Sequence, residues 1–343
     1  MPNVLICSYL EPALVERIRA VDPGLNVEYH PELLPKPRYK ADHVGSPLAR
    51  TPDEQARWEE LLSRAEVLFD FDYTGVKDLP DRAPRVRWVQ ASSAGIGQFV
   101  RRHAYDKRMD ARFTTASGVH ARPLAEYVLM SMLQVVKRAA LAREQQAAHR
   151  WQRFATDELS GKTLGIVGLG RIGREVARLA RAFDMRVIAT KRSTEGEGAA
   201  SLGIDQLHPW TALHDLLAES DFVCLVCPHT PETENLIDEA AFKAMRPGAT
   251  LINIARGAVV DEPALIRALQ SGQVGHAALD VAAVEPLPAD SPLWDLANVS
   301  IYPHSASTND RENDRLVDLF CENLRRYLRK EPLLNTLDPE RMY

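Results

Sequence analysis

Cysteine is scarce in this chain of 343 residues: Cys7, Cys224, Cys227 and Cys321 are too few and too scattered to frame a disulfide-held fold. Long apolar runs are missing as well. No stretch reaches the roughly 18 residues that a membrane-spanning helix needs, and the opening MPNVLICSYLEPALVERI has neither a basic leader nor a long apolar segment. A cytoplasmic protein with no membrane partner is the expectation. Lys and Arg nowhere concentrate beside aromatics, and with a net charge of -5 and 26% charged residues nucleic acid is not an expected partner. Internal repeats and low-complexity tracts are absent, and no metal site is called for. Cys224 and Cys227 do form a CxxC, the spacing of a redox pair. The surrounding FVCLVC reads instead as a buried strand, since free cysteine is among the most buried residue types.

What is present points to layered α/β architecture. The length is about twice that of a usual single domain, and 45% apolar residues are ample for two cores. Strand-like runs (VLICSY, EVLFDF, RVRWVQAS, TLGIVGL, RVIAT, FVCLVC, TLINIA, HAALDV, VSIYP) alternate with helical periodicity in REVARLARAF, TALHDLLAES and EPALIRALQSG. The Pro-rich, polar stretch from His30 to Thr51 reads as an excursion from the fold. One long helix is predicted from about Arg122 to His149, with Leu124, Val128, Met132, Val135 and Val136 on one side, serving a subunit interface or bridging the domains. A final amphipathic helix, with Leu316, Leu319, Phe320, Leu324 and Leu328 on one face, returns to the first domain.

KTLGIVGLGRIGREVARLARAF carries Gly168, Gly170 and Gly173 as GxGxxG between a strand pattern and a helix, with a second strand after it, as a dinucleotide-binding βαβ unit requires. The amides near Arg171 and Ile172 are then aimed at phosphate. At the end of the second strand, where a carboxylate would accept bonds from the adenine ribose, stand Thr190, Lys191, Arg192 and Ser193. Two cations and two hydroxyls favour a 2'-phosphate, hence NADP over NAD. The plainer alternative is solvated surface charge and use of either cofactor.

Ligands of open α/β sheets sit outside the carboxyl ends of the strands. After successive strand patterns come the glycines, TKRS, CPHT, Arg256, Asp280 and His304. Arg256 suits a substrate carboxylate, with Gly257 allowing a sharp exit from the strand; His304 suits proton delivery to a carbonyl oxygen, and Glu285 in VEPLP suits the imidazole. Taken singly, each also fits an ion pair, a loop charge or a core histidine.

In LSGKTLGIVGLGRIGREVA, CPHTPETENLIDEAAFKAMRPGATLINIARGAVVDEPAL, HAALDVAAVEPLPADSPLWDLANV and YPHSAS, most of the chain resembles the D-isomer-specific 2-hydroxyacid dehydrogenase family. The resemblance implies two Rossmann-like domains: a dinucleotide-binding domain, 117–305, inserted into a flavodoxin-like substrate domain, 1–116 and 306–343. It implies a cleft that closes on ligand and a homodimer built around the cofactor domain. It makes Arg256 the substrate-binding arginine, His304 the proton donor and Glu285 its acid. Asp280 is the implied partner of the nicotinamide carboxamide, Cys227, Pro228 and Ala255 further cofactor contacts, and Ala94 and Gly95 the amides that grip the substrate carboxylate. The substrate implied is a small 2-oxo acid, reduced to the D-2-hydroxy acid with NADP, NAD remaining an alternative. Lys191 and Arg192 match the glyoxylate/hydroxypyruvate reductase-like, NADP-preferring members, and Glu285 departs from the formate dehydrogenase branch, which has glutamine there. Ala282 and Ala283 stand where many relatives have a bulkier residue, and the 30–51 excursion has no obvious counterpart. Two other readings stay open: a dinucleotide-sensing corepressor-like protein and a phosphite dehydrogenase. Phe69, Phe71, Tyr73 and Ser93 are candidate pocket walls or core.

Overall fold

A computed structural model describes residues 2–192 and 198–341. The chain forms two compact units, one of Met1–His120 with Thr308–Tyr343, the other of Ala121–Ser307. The divides fall later than the expected 116/117 and 305/306: Val119 is buried in the core of the first unit and the ring of His120 lies 3.1 Å from Glu312, holding 117–120 with that unit, while Ala306 packs against the core of the second.

The first unit is built on five parallel strands: β1 (Asn3–Ile6), β2 (Asn26–Glu28), β3 (Val67–Phe69), β4 (Trp88–Gln90) and β5 (Arg112–Thr114), in the order β2-β1-β3-β4-β5. That is the flavodoxin-like order. Alternate residues of β1 feed opposite cores, as the two-residue period of a strand dictates: Val4 and Ile6 join Leu14, Ile18, Leu316 and Phe320, whereas Leu5 and Cys7 join Trp58, Leu62, Phe71 and Tyr105. Helices therefore cover both faces. The C-terminal helix Glu312–Leu328 packs here through Phe320, whose ring lies 5.1 Å from those of Phe69 and Trp88. Phe69 and Phe71 are thus core residues, not pocket walls, and Phe71 sits inside an aromatic group with Phe99 and Tyr105. Tyr73 stands at its rim, its hydroxyl donating to Asp70. The helix Pro52–Arg64 starts where Thr51 and Glu54 exchange hydrogen bonds in a capping box.

The second unit has seven parallel strands: β6 (Thr163–Val167), β7 (Arg186–Lys191), β8 (Gln206–Pro209), β9 (Phe222–Leu225), β10 (Ala249–Asn253), β11 (Val274–Leu279) and β12 (Val299–Ile301). Their order, β12-β11-β10-β9-β6-β7-β8, is the doubly wound Rossmann arrangement with one added edge strand. Its switch point lies between β6 and β9.

Two expectations change. The long helix is broken: Ala121–Val136 ends, Arg138 adopts a left-handed φ of 54°, and a second helix runs from Ala139 to Ala147. The apolar stripe explains where. Leu124, Val128, Met132 and Val136 are buried in one core with Val176, Ala177 and Ala180 of the helix Arg171–Arg181, but after Val136 the sequence turns polar and Gln145 is the one buried residue of the second helix. The strands β2, β5 and β8 were not expected at all. All three are edge strands of their sheets, and the outer side of β5 is met only by an isolated bridge from Thr114 to Thr336. Among the described residues, no helix is long and apolar enough to cross a membrane.

Candidate active site

The glycine turn leaves β6 at the switch point. Gly168 has φ +99°, and a Cβ there would meet the Cys227 backbone at 2.9 Å; at Gly173 one would meet the Gly168 carbonyl at 2.7 Å. Both glycines are needed by the protein itself, the first for its conformation and both for close approach. Gly170 differs, because a Cβ there meets nothing within 4 Å. It is the N-cap of the helix Arg171–Arg181, whose first turn has no side-chain cap and no acidic residue. Open space over uncapped amides at a helix N-terminus suits a pyrophosphate. Ile172 is half-buried and Arg171 exposed.

Across the turn, Gly168 N–H donates to the Thr190 carbonyl. Thr190 itself is fully buried and its hydroxyl has no partner among the described residues. The accessible charges at the end of β7 are therefore Lys191, half-buried, and Arg192, exposed and 4.0 Å from Glu232. Ser193 lies outside the described residues. After β9, Cys227 is buried against Gly168, Pro228 is exposed, and Thr233 Oγ1 ties the turn by donating to the Pro228 carbonyl. Cys224 and Cys227 are both free and buried, and burial pushes the Cys227 thiol up to about 12, which leaves little thiolate for redox exchange.

Arg256 follows β10. Asn253 fixes its turn, Oδ1 accepting from Ala255 N–H at 3.0 Å and Nδ2 donating to the Arg256 carbonyl at 3.2 Å. Ala255 is buried, and the Arg256 guanidinium is turned inward, donating to the Ala255 carbonyl at 2.7 Å. Burial lowers the Arg256 pKa below its ordinary value, against the opposing fields of Glu285 and Asp280. The role of Gly257 is not a turn. A Cβ there would lie 1.8 Å from the Ala282 carbonyl oxygen and 2.4 Å from Ala283 N, so this glycine lets the loop after β11 cross directly over the arginine turn.

That loop carries Glu285, and the turn after β12 carries His304. His304 Nδ1 and Glu285 Oε2 are 2.8 Å apart, and the other carboxylate oxygen accepts from Ala282 N–H at 3.1 Å. Burial pushes the Glu285 carboxyl up, but the bond to His304, its charge, the Ala282 amide and Arg256 outweigh this and hold it below its ordinary value. His304 sits at a left-handed φ of 52°, a conformation a non-glycine residue keeps only where its surroundings dictate it. Asp280 dictates it: its carbonyl accepts from His304 N–H at 2.8 Å, and its buried Oδ1 accepts from both Ser305 and Ala306 N–H at 2.9 Å. The structure thus brings Arg256, Asp280, Glu285 and His304 together at one sheet edge. Asn253 and Glu262, whose Oε2 accepts from Ala283 N–H at 3.0 Å, are supporting residues missed in the sequence. An Asn two residues from a turn was a readable signal; Glu262, 21 positions from its partner, gave none.

In the first unit Ala94 is half-buried and Gly95 exposed, in the turn after β4, where Gly95 N–H donates to Ser93 Oγ at 3.4 Å.

Residues 129–306, nearly all of the second unit, match the NAD binding domain of the D-isomer specific 2-hydroxyacid dehydrogenases. The chain belongs to this family. It is 37% identical over 281 residues to a glyoxylate reductase of Aeropyrum pernix, covering 78% of this chain and 82% of that one. It is likewise 37% identical over 280 residues to a D-3-phosphoglycerate dehydrogenase of Mycobacterium leprae, but spans only 50% of that longer protein. A family member from Xanthobacter autotrophicus Py2, solved in complex with NADPH and MES, superposes with a TM-score of 0.78 at 28% identity, covering 100% of this chain and 99% of the other. The second unit is accordingly a nicotinamide-dinucleotide-binding domain, and the chain is an oxidoreductase of the 2-hydroxyacid dehydrogenase type.

Proposed function

We propose that this 2-hydroxyacid dehydrogenase reduces a small 2-oxo acid to the D-2-hydroxy acid and prefers NADPH. The observation that carries this is the 2.8 Å pairing of His304 with Glu285, with the charge of Arg256 beside it. In the proposed reaction the bound cofactor supplies hydride to the carbonyl carbon. The residues of the chain do the rest. Arg256 holds the substrate carboxylate and polarises the carbonyl, and Ala94 and Gly95 offer it backbone amides. His304, its ring oriented by Glu285, passes a proton to the carbonyl oxygen, so that C=O becomes CH–OH. Asp280 keeps the His304 turn in place, leaving its second oxygen for the carboxamide of the nicotinamide. The first unit is the proposed substrate domain.

The cofactor preference rests on Lys191 and Arg192, which occupy the end of β7 in place of the acid that would accept from an adenine ribose. The NADPH complex of the Xanthobacter relative and the glyoxylate reductase name of the Aeropyrum relative are in keeping with this reading. A homodimer is part of the proposal, and fully exposed Trp151, just beyond the second helix, is its natural marker. The test is a panel of glyoxylate, hydroxypyruvate, pyruvate, phenylpyruvate and branched 2-oxo acids, each offered with NADPH and NADH. Wild type should consume NADPH faster on at least one, and His304→Ala should lose most turnover while still binding NADPH. Silence across the panel with tight NADPH binding would transfer the case to a sensor or to phosphite oxidation.

A further inference from the structure

The two sides of the glycine turn carry opposite charges. In the order β9-β6-β7 the turn after β6 lies between the carboxyl ends of β9 and β7, so residues leaving those two strands flank a ligand held over the turn. From β7 come Lys191 and Arg192, and from β9 comes the turn 228–235, which carries Glu232. Arg192 Nη2 and Glu232 Oε1 stand 4.0 Å apart, with 62% and 63% of their side chains exposed. Glu232 has no part in the mechanism above, yet it points a carboxylate at the arginine assigned to the 2'-phosphate.

The acid is carried by a fixed turn. Thr233 Oγ1 accepts from Thr230 N–H at 2.8 Å and donates to the Pro228 carbonyl at 2.8 Å, and both threonines are buried. The Thr230 carbonyl accepts from Thr233 N–H at 3.0 Å and from Glu234 N–H at 3.1 Å. Asn235, at a left-handed φ of 51°, closes the turn by donating its N–H to the carbonyl of Ala258, just past Arg256, at 2.8 Å. The Thr230 hydroxyl, the backbone amide of Glu232 and the field of Arg192 together outweigh burial and hold the Glu232 carboxyl below its ordinary value, so it is charged at neutral pH. A carboxylate so placed neutralises part of the guanidinium charge, and a phosphate must draw the arginine away from it. An uncharged ribose hydroxyl meets no such competition.

We infer that Glu232 is a specificity-determining residue for the cofactor, its carboxylate competing with the 2'-phosphate for Arg192 and holding the NADPH preference below what Lys191 and Arg192 alone would give. This rests on the dinucleotide reading above. The direction of the effect is the same whichever cofactor the wild-type protein binds more tightly.

The experiment measures Kd for NADPH and NADH by calorimetric titration in wild type, Glu232→Gln, Arg192→Ala and the double variant. Glu232→Gln should raise the NADPH-to-NADH affinity ratio about three- to tenfold, a modest gain because both side chains are exposed. Most of that gain should be lost in the Arg192→Ala background, as coupling through the arginine requires. Adenosine 2',5'-bisphosphate should gain affinity for Glu232→Gln as NADPH does, and adenosine 5'-monophosphate should not. An unchanged ratio in Glu232→Gln while Arg192→Ala weakens NADPH overturns the inference and leaves the NADPH reading intact. A gain that persists in full without Arg192, or that appears equally with adenosine 5'-monophosphate, also overturns it. Tighter wild-type binding of NADH ends the NADPH preference, and the inference then stands or falls on the shift in ratio alone. If Arg192→Ala changes neither Kd, the arginine does not meet the cofactor and the inference falls.

Discussion

Replacing Gly257 with Ala tests whether the site is assembled by one backbone crossing. The new Cβ would stand 1.8 Å from the Ala282 carbonyl oxygen, 2.0 Å from its carbon and 2.4 Å from Ala283 N. Restoring ordinary van der Waals separation requires a shift of roughly 1.5 Å, and both neighbours are backbone that cannot swing aside. The moving amides are those that hold Glu285, through Ala282 N–H, and Glu262, through Ala283 N–H. Overpacking of this kind costs about 1–3 kcal/mol, which in a domain of this size lowers Tm by roughly 2–4 °C per kcal/mol. Misplacing an orienting group by about 1 Å costs roughly 100-fold in rate. Thermal melting and steady-state kinetics on the best 2-oxo acid should therefore show both a lower Tm and a kcat down about 100-fold. Cofactor affinity should change far less, because the glycine turn leaves a different strand. A variant with lowered Tm but wild-type kcat would show that the loop can move without disturbing the His304–Glu285 pair, and the assembly argument would fail.

Gly170→Ala should leave Tm unchanged, since its Cβ meets nothing within 4 Å, yet weaken NADPH binding by about tenfold or more where the pyrophosphate must approach; calorimetric titration showing a normal Kd would refute the proposed approach. Replacing Lys191 and Arg192 together with Ala should weaken NADPH at least about tenfold, from two bonds worth roughly 1.5–3 kcal/mol each before solvent screening, and should affect NADH little; equal losses would end the preference argument. Asp42→Asn addresses stability and its pH dependence. Burial pushes the Asp42 carboxyl up, but its bonds to Arg38 and Gly45 bring it from 3.8 down to about 2. A depressed carboxyl stabilises the fold fully above its unfolded value and loses that contribution as pH falls through the folded one. Urea unfolding should thus find wild type more stable than Asp42→Asn by up to about 2 kcal/mol at neutral pH, the gap narrowing from roughly pH 4 and gone only below about pH 2; a gap that does not narrow between pH 4 and pH 2 would refute the cause assigned.

The legible parts of the fold were those buried on both faces. TLGIV, FVCL and ATLIN are central strands, shielded on either side, so their apolar runs are continuous and stand out. Edge strands escape this signal. Asn26–Glu28 and Gln206–Pro209 each pair with one neighbour, have one buried residue apiece to announce them, and carry the polar residues that keep an edge from pairing with another chain; Arg112–Thr114 is only three residues long, too short to show a period. The break at Arg138 was illegible for another reason: Lys, Arg, Ala and Leu after Val136 are all good helix formers, so propensity reads through a boundary that packing sets.

The same contrast governs the site. In a parallel sheet every strand leaves by one edge, so residues following β10, β11 and β12 converge however far apart they stand in sequence. Arg256, Asp280 and His304 were readable because their positions needed only strand order. Glu285 needed more, since it stands six residues past the end of β11 in a loop whose path depends on Gly257 and Glu262. That path is fixed by backbone atoms of two loops touching, and no property of either segment alone records it. His43, in the first unit, is the extreme case: 35 residues separate it from Ser8, whose hydroxyl its ring meets just beyond β1, and its segment has no strand or helix period to place it. A residue that meets the sheet edge from an irregular segment becomes visible only once the turn that holds it is seen.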